Sequence, residues 1–418
     1  MMNFLYISYF FPPLSGAEPR HNLSMIRLLN AKGFIPTIIT SPEDISYSKD
    51  QSLKKLIPEG ISINRISWPY KSNKYINKWR EVLKIPENTF VFKGWKHFYE
   101  VAQTKSIEGK YQFIYSVHGI GAAHLAALRL KRESGLPWIA EFRDPWIHNV
   151  IMWNYMKDKS WRWWYKHNFK KTEKIQRKIL ENADLVVVES PMHGEFLVRD
   201  FGISEDKVVP YGMGYDGDYF TKTRDCLINF NRKPIIGFVG SIYYGYNNIV
   251  KNLIMALKKL DERGYCFTLV PVGGCSSLFS EYAEEIGLES SLPINRVNLL
   301  SALSLMKNMD FGVVFISEDY KTNINSKIWE YIKSGLSVLA LVPEDGAMAK
   351  IVHKGECGYC LPYDVDGMVQ ILEKALKDYE DGKMKQASSE YTSQFTCERM
   401  VDKLAEKIEN IIRSKNKP

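Results

Sequence analysis

Short apolar runs alternate with amphipathic stretches from the start of the chain. Phe4–Tyr9 reads as a strand, and Arg20–Lys32 reads as a helix closed by Gly33. Pro36–Thr40, Gln112–Val117, Trp138–Phe142 and Leu185–Glu189 are further apolar runs of strand length. Strands alternating with helical patterns at this spacing predict a parallel sheet with helices on both faces. The rhythm restarts after Pro210. Pro234–Val239 is a predicted strand, followed by a helix through Lys259. Thr268–Val272, Phe311–Ile316 and Ser337–Val342 are the next strands. The turn-rich segment Pro210–Asp218 marks the crossing point, so the pattern predicts two α/β domains, 1–212 and 213–395. The closing stretch Cys397–Ile412 is amphipathic and could pack on either domain.

Composition sharpens this picture at a few points. With 418 residues the chain exceeds one ordinary core and suits two domains of about 200 residues each. No apolar run approaches the roughly 20 residues that span a bilayer. Phe4–Phe11 is short, lacks a basic start and runs into Pro12-Pro13, which reads as strand and turn rather than a signal peptide. The six cysteines make no disulfide scaffold, and the lone pair Cys357 and Cys360 has no second pair to complete a zinc set. Structural cysteines in a reducing cytoplasm are expected. The net charge of +8 favours anionic partners such as nucleoside diphosphates or phospholipid surfaces. No recognised nucleic-acid motif accompanies that charge, so nucleic acid is not an expected partner.

Open α/β sheets bind ligands beyond the carboxyl ends of their strands, where loops lead into helix N-termini. Four such loops carry candidate chemistry. After the first strand comes Pro12–Ala17, where Gly16 allows close backbone approach and the next helix offers free N–H groups. The plain alternative is a tight turn. His118 ends the strand Gln112–Val117 and would face the ligand, whereas His124 falls within the following helix. Arg143 and Asp144, in Glu141–Trp146, could pair with each other, bind substrate or order the loop. The fourth loop enters a helix at Asn325-Ser326, either of which suits an N-cap. Lys327 then lies in the first helical turn, where the macrodipole disfavours a cation, so a nearby anion such as a diphosphate is expected. Glu330 shares the polar face with Lys327 and Ser334; an ordinary solvated face is the alternative.

Two motifs are set aside. Asp364-Val365-Asp366 looks like a metal-binding DxD, but it precedes the helical pattern Gly367–Lys377 and reads as a cap and a first-turn acid. No GxGxxG follows the first strand, which weakens a dehydrogenase reading. The segment 148–178 interleaves Trp153, Tyr155, Trp161, Trp163, Trp164 and Tyr165 with many Lys and Arg residues. It suits an anionic membrane surface or, alternatively, packing between domains.

Taken in order, these motifs resemble the family 4 glycosyltransferases, which are retaining enzymes of the GT-B fold. The resemblance rests on Pro12–Ala17, Glu141–Trp146, Phe238–Ser241 and above all Ser326–Leu339. It implies two Rossmann-like domains facing a central cleft, with a C-terminal helix (396–418) crossing back to the N-terminal domain. By the same resemblance Glu330 would hold the donor ribose and Lys327 the diphosphate, with His118 at the donor sugar. Gly16, Ala17, Gly240, Ser241, Gly273, Asn325 and Ser326 would line the donor site.

Two departures stand out. Thr322 occupies the place of a frequent family Glu, and Tyr243–Asn248 lacks the usual basic pair. The expected activity is transfer of a sugar from a nucleotide diphosphate sugar to a glycan or lipid-linked acceptor in bacterial surface polysaccharide synthesis. It would need neither a metal nor a cofactor, and the protein would be cytoplasmic, peripheral on the inner face of the membrane. A nucleotide-sugar epimerase and a non-catalytic binding module are the alternatives.

Overall fold

The computed structural model describes residues 1–45, 47–67, 94–117, 121–149, 162–211, 214–223, 233–242 and 246–415. The chain divides into two compact units, Met1–Gly212 with Cys397–Pro418, and Met213–Thr396. Among the described residues no helix is long and apolar enough to cross a membrane.

Unit 1 is built on seven parallel strands: β1 (Met2–Ile7), β2 (Phe34–Thr40), β3 (Ser62–Arg65), β4 (Phe113–Val117), β5 (Trp138–Phe142), β6 (Leu185–Val188) and β7 (Val208–Pro210). Their order is β3-β2-β1-β4-β5-β6-β7. Strands β4, β5 and β6 are apolar at nearly every position because both faces of the sheet are covered. One cover contains α1 (Ala17–Ala31), and the other contains α2 (Trp95–Glu108), α3 (Ala122–Ser134), α4 (Arg162–Asn182) and α5 (Pro191–Phe201). Strand β1 stops at Ile7, short of the expected Tyr9, because Asn22 Nδ2 donates to Ser8 Oγ and Phe10 O and turns the chain away. Helix α1 begins before the expected Arg20. Its Pro19 lies in the first turn, where no intrahelical N–H bond is lost.

Unit 2 carries five parallel strands: β8 (Ile235–Val239), β9 (Thr268–Val272), β10 (Phe311–Phe315), β11 (Ser337–Leu341) and β12 (Gly358–Leu361). Their order is β12-β11-β10-β8-β9. Helices α6 (Gly217–Thr221), α7 (Asn247–Glu262), α8 (Ser276–Ile286), α9 (Leu299–Met306), α10 (Lys327–Lys333), α11 (Ala347–Lys354), α12 (Val365–Glu380) and α13 (Ser389–Ser393) complete it. One core joins Ile236, Leu253, Leu257, Leu269, Val313, Leu339 and Leu372. The chain enters and leaves this unit side by side: Tyr215 N donates to Phe395 O at 3.0 Å, and Tyr215 pairs with Thr396.

The last helix, α14 (Cys397–Lys415), belongs to unit 1. Val401, Leu404, Ala405, Ile408 and Ile412 form its buried stripe and join the core that holds Met25, Ile26 and Leu29 of α1. Lys32 pairs with Asp402 near its start, and Lys415 Nζ reaches Asp184 Oδ1 at 2.6 Å near its end.

Candidate functional site

In each sheet the strand order reverses once, between β1 and β4 in unit 1 and between β8 and β10 in unit 2. Loops leaving the carboxyl ends of these strand pairs diverge and leave a crevice suited to ligands. The loops after β1, β8 and β10 carry most of the residues singled out by sequence; Gly273 follows β9, beside β8.

In unit 2, β8 ends in Gly240-Ser241 and β9 in Gly273-Gly274, which leads into α8. The two turns are stitched together: Gly240 N donates to Val272 O at 2.9 Å, and Cys275 N to Gly240 O at 3.1 Å. Gly273 has φ +107°, and a Cβ there would lie 2.8 Å from Gly240 O, so only glycine fits. The result is a floor made of a pair of glycine turns locked together by their own backbone hydrogen bonds, with no Cβ at Gly240, Gly273 or Gly274 to keep a ligand such as a phosphate away.

Helix α10 is anchored beside this floor. Val239 N donates to the Tyr331 hydroxyl at 3.0 Å, and the Trp329 ring stacks on Phe395 at 4.2 Å. Of the two residues suited to cap it, Asn325 acts through its side chain: its Oδ1 accepts from Lys327 N at 3.0 Å. Ser326 occupies the cap position without such a bond, because its backbone is already helical. Lys327 and Glu330 share a face as expected, and their side chains meet, with Nζ 2.5 Å from Oε2. The anion that compensates Lys327 here is therefore Glu330, one turn along the same helix. Thr322 is buried at 2 % exposure.

In unit 1, Gly16 precedes α1 with φ +131°, and Ala17 is the first helical residue; both are exposed. Beneath them lies a buried polar network. Asn22 Oδ1 accepts from the Tyr6 hydroxyl at 2.7 Å and from Arg143 Nη2 at 2.8 Å. Arg143 Nε donates to Glu141 Oε1 at 2.9 Å, and the Tyr115 hydroxyl to Glu141 Oε2 at 2.7 Å. Burial alone would raise the Glu141 carboxyl, but Arg143, His21 and Tyr115 outweigh it and hold the group at about 2. Arg143 thus orders the loop from inside, paired with Glu141 rather than with Asp144, which is exposed. Burial pushes the Glu18 carboxyl well above its usual range, against the pull of Arg143, and its Oε1 is sealed from solvent with no hydrogen-bond partner among the described residues.

His118 lies outside the described residues, as do Tyr243, Tyr244 and most of the aromatic cluster at 148–178. What is described of that last segment includes exposed Lys166, Lys170, Lys171, Lys174 and Lys178, while Ile179 and Leu180 pack into the unit 1 core. His124 is inside α3, as its position suggested, and its Nδ1 lies 2.7 Å from Ser116 Oγ. The DxD look-alike is a cap: Asp364 Oδ1 accepts from Gly367 N at 2.7 Å, and Asp366 pairs with Lys259. Among the described residues no group of three or more His, Cys, Asp or Glu side chains could hold a metal ion.

One residue missed by sequence reasoning is Arg296. It follows a stretch that runs parallel to β9, bridged at Leu269–Ser291 and Val272–Ile294. Gly273 N donates to Ile294 O at 2.9 Å, which delivers Arg296 to the same edge as Gly240 and Gly273. A non-periodic stretch carries no signal of this.

No family model matches the chain, and no curated protein matches it in sequence. Solved structures do resemble it over its whole length. A glycosyltransferase from Rickettsia africae superposes with a TM-score of 0.65 at 15% identity, covering 99% of both chains. WaaG, a glycosyltransferase involved in lipopolysaccharide biosynthesis, gives 0.61 at 14% identity, covering 99% of this chain and 100% of its own. A UDP-GlcNAc 2-epimerase from Neisseria meningitidis, solved with UDP-GlcNAc, also gives 0.61, at 12% identity, covering 98% of this chain and 100% of its own. With parallel sheets of seven and five strands and neighbours that match it end to end, the chain has the two-domain, Rossmann-like GT-B fold.

Proposed function

We propose that the protein is a retaining glycosyltransferase that moves a sugar from a nucleoside diphosphate sugar to an acceptor hydroxyl. The observation that carries this reading is the switch point of the unit 2 sheet. A glycine floor at Gly240 and Gly273 lies there next to a lysine–glutamate pair on the helix that follows β10. Glu330 would accept hydrogen bonds from the donor ribose, and the floor and Lys327 would hold the diphosphate. By the family resemblance, His118, Gly16 and Ala17 would contact the donor sugar, and Ser241, Asn325 and Ser326 would contact the rest of the donor. In the reaction, the bond from the anomeric carbon to the phosphate oxygen breaks and its electron pair leaves with the phosphate. The acceptor oxygen bonds to the same face of that carbon, and its proton passes to the departing phosphate. Positive charge and backbone N–H groups aimed at that phosphate lower the barrier as its charge grows.

The acceptor in this reading is a glycan or lipid-linked glycan of bacterial surface polysaccharide synthesis, met on the cytoplasmic side of the membrane. The exposed lysines of α4 support docking there. Likeness to the epimerase supports a second reading, in which the sugar is isomerised on its nucleotide.

A thermal-shift screen of UDP-, GDP-, TDP- and ADP-sugars tests donor use. A true donor at 100 times its Kd stabilises the fold by about 2.7 kcal/mol. The stabilising sugar nucleotide is then incubated with and without a panel of glycan and lipid-linked acceptors. Acceptor-dependent release of the nucleoside diphosphate supports transfer. An isomerised nucleotide sugar formed without acceptor overturns it in favour of the epimerase.

A further inference from the structure

We propose that Arg296 supplies the phosphate-binding positive charge that the loop after β8 lacks. The inference rests on the nucleoside diphosphate sugar reading and names a further residue of the same site. Through Ser241–Val250 the sequence holds no Lys or Arg, so the strand end that forms the phosphate floor brings no cation of its own. Lys327, a cation on the neighbouring helix α10, is held by Glu330 at 2.5 Å, and both are largely shielded from solvent. A diphosphate would meet a pair of no net charge there.

Arg296 is placed to make up the difference. The stretch paired with β9 carries it past the end of that strand. A Cβ built on Gly274 would lie 2.6 Å from Ser241 Oγ and 3.4 Å from Arg296 Nη2. A hydroxyl and a guanidinium therefore converge on the exposed backbone of Gly274, beside the turn that the Gly240 and Gly273 backbone hydrogen bonds hold in place. Arg296 is exposed, and no hydrogen bond or ion pair holds it among the described residues. An unengaged guanidinium beside a glycine floor matches the planar, two-pronged demand of a phosphate better than an ammonium does. Ser241 Oγ can add a neutral donor to the same phosphate. The expected ligand group is the diphosphate of the donor and of the nucleoside diphosphate product.

The test is calorimetry of UDP, GDP, TDP and ADP, and of the matching nucleosides, with the full-length wild type, Arg296→Ala and Arg296→Lys. A charged hydrogen-bond pair lost from the complex weakens binding of the preferred diphosphate about 10- to 100-fold. Nucleoside binding stays unchanged, Arg296→Lys falls between the two, and the salt dependence of diphosphate binding becomes shallower in Arg296→Ala. Arg296 is exposed, so the melting temperatures of the unliganded proteins stay alike. If the wild type binds a diphosphate and Arg296→Ala binds it with equal affinity and equal salt dependence, the role of Arg296 is overturned while the donor reading stands. If the wild type binds none of the four diphosphates, both fall.

Discussion

The contact between Lys327 and Glu330 changes how each should be tested. Glu330 has one carboxylate oxygen on Lys327 Nζ, so a ribose would compete with or share that partner. Glu330→Gln keeps the shape and removes the charge. Calorimetry should show the preferred nucleoside diphosphate binding about 10- to 100-fold more weakly, the worth of a charged hydrogen bond. Unchanged affinity would take Glu330 out of the site. Lys327→Ala should lower kcat more than donor affinity, since the charge it meets grows in the transition state. A raised KM with intact kcat would contradict that role. Deeper in the fold, His124 sets a pH limit. Burial pushes its ring down to about 3, against the pull of Glu141, so the folded protein holds it neutral. Unfolded, it takes up a proton near pH 6.5. The stability it contributes is therefore complete above pH 6.5 and drains away as the pH falls toward 3. By pH 5 the loss is about 2 kcal/mol. His193, also pushed down to about 3 by burial, acts with the same sign. Urea unfolding of the wild type and His124→Asn at pH 7.5 and pH 5 would check this, and equal pH dependence in the two would exclude His124. Sequence reasoning could mark strand-end residues because a continuous apolar run stops visibly. It could not see that Arg143 turns inward to Glu141 and Asn22, because a buried cation and a surface cation look alike until their neighbours are known.

At the scale of elements, the long apolar strands were legible and the short edge strands were not. Ser62-Ile63-Asn64-Arg65 of β3 lies at the sheet edge, half in solvent, and carries no apolar run to announce it. Strand β7 is similar, with Val208 and Pro210 flanking buried Val209. The amphipathic stripe of α14 was readable, but a stripe alone fits many surfaces; its return to the N-terminal domain was implied only by the family resemblance, and its seam with α1 by nothing in the stripe. Its partner is α1, through Met25, Ile26 and Leu29. Leu404 is fully buried in that seam, so Leu404→Ala should cost about 2–5 kcal/mol. A melting temperature within a degree of the wild type would show that the helix is dispensable for unit 1.

The whole chain carries a basic excess, part of it displayed on α4 as exposed Lys166, Lys170, Lys171, Lys174 and Lys178. Each basic side chain near an anionic bilayer contributes about 1 kcal/mol, screened by salt. The protein should float with anionic vesicles at low salt and release at high salt. Failure to float at low salt would remove the membrane from the acceptor proposal. Activity should also survive EDTA; loss on chelation that Mg²⁺ or Mn²⁺ restores would refute metal independence.

The return of α14 to unit 1 also has a consequence for synthesis. Unit 2 is an insertion, entered at Met213 and left at Thr396, so the domain translated first is the one completed last. At about 5–20 residues per second, the ribosome spends on the order of ten to forty seconds making unit 2. Throughout that interval the seam formed by Met25, Ile26 and Leu29 has no α14 to cover it. A nascent chain with this order of events leaves an apolar seam open to solvent while its second domain is already folding. Chaperone capture during translation should therefore map to unit 1 and end when the last helix leaves the exit tunnel.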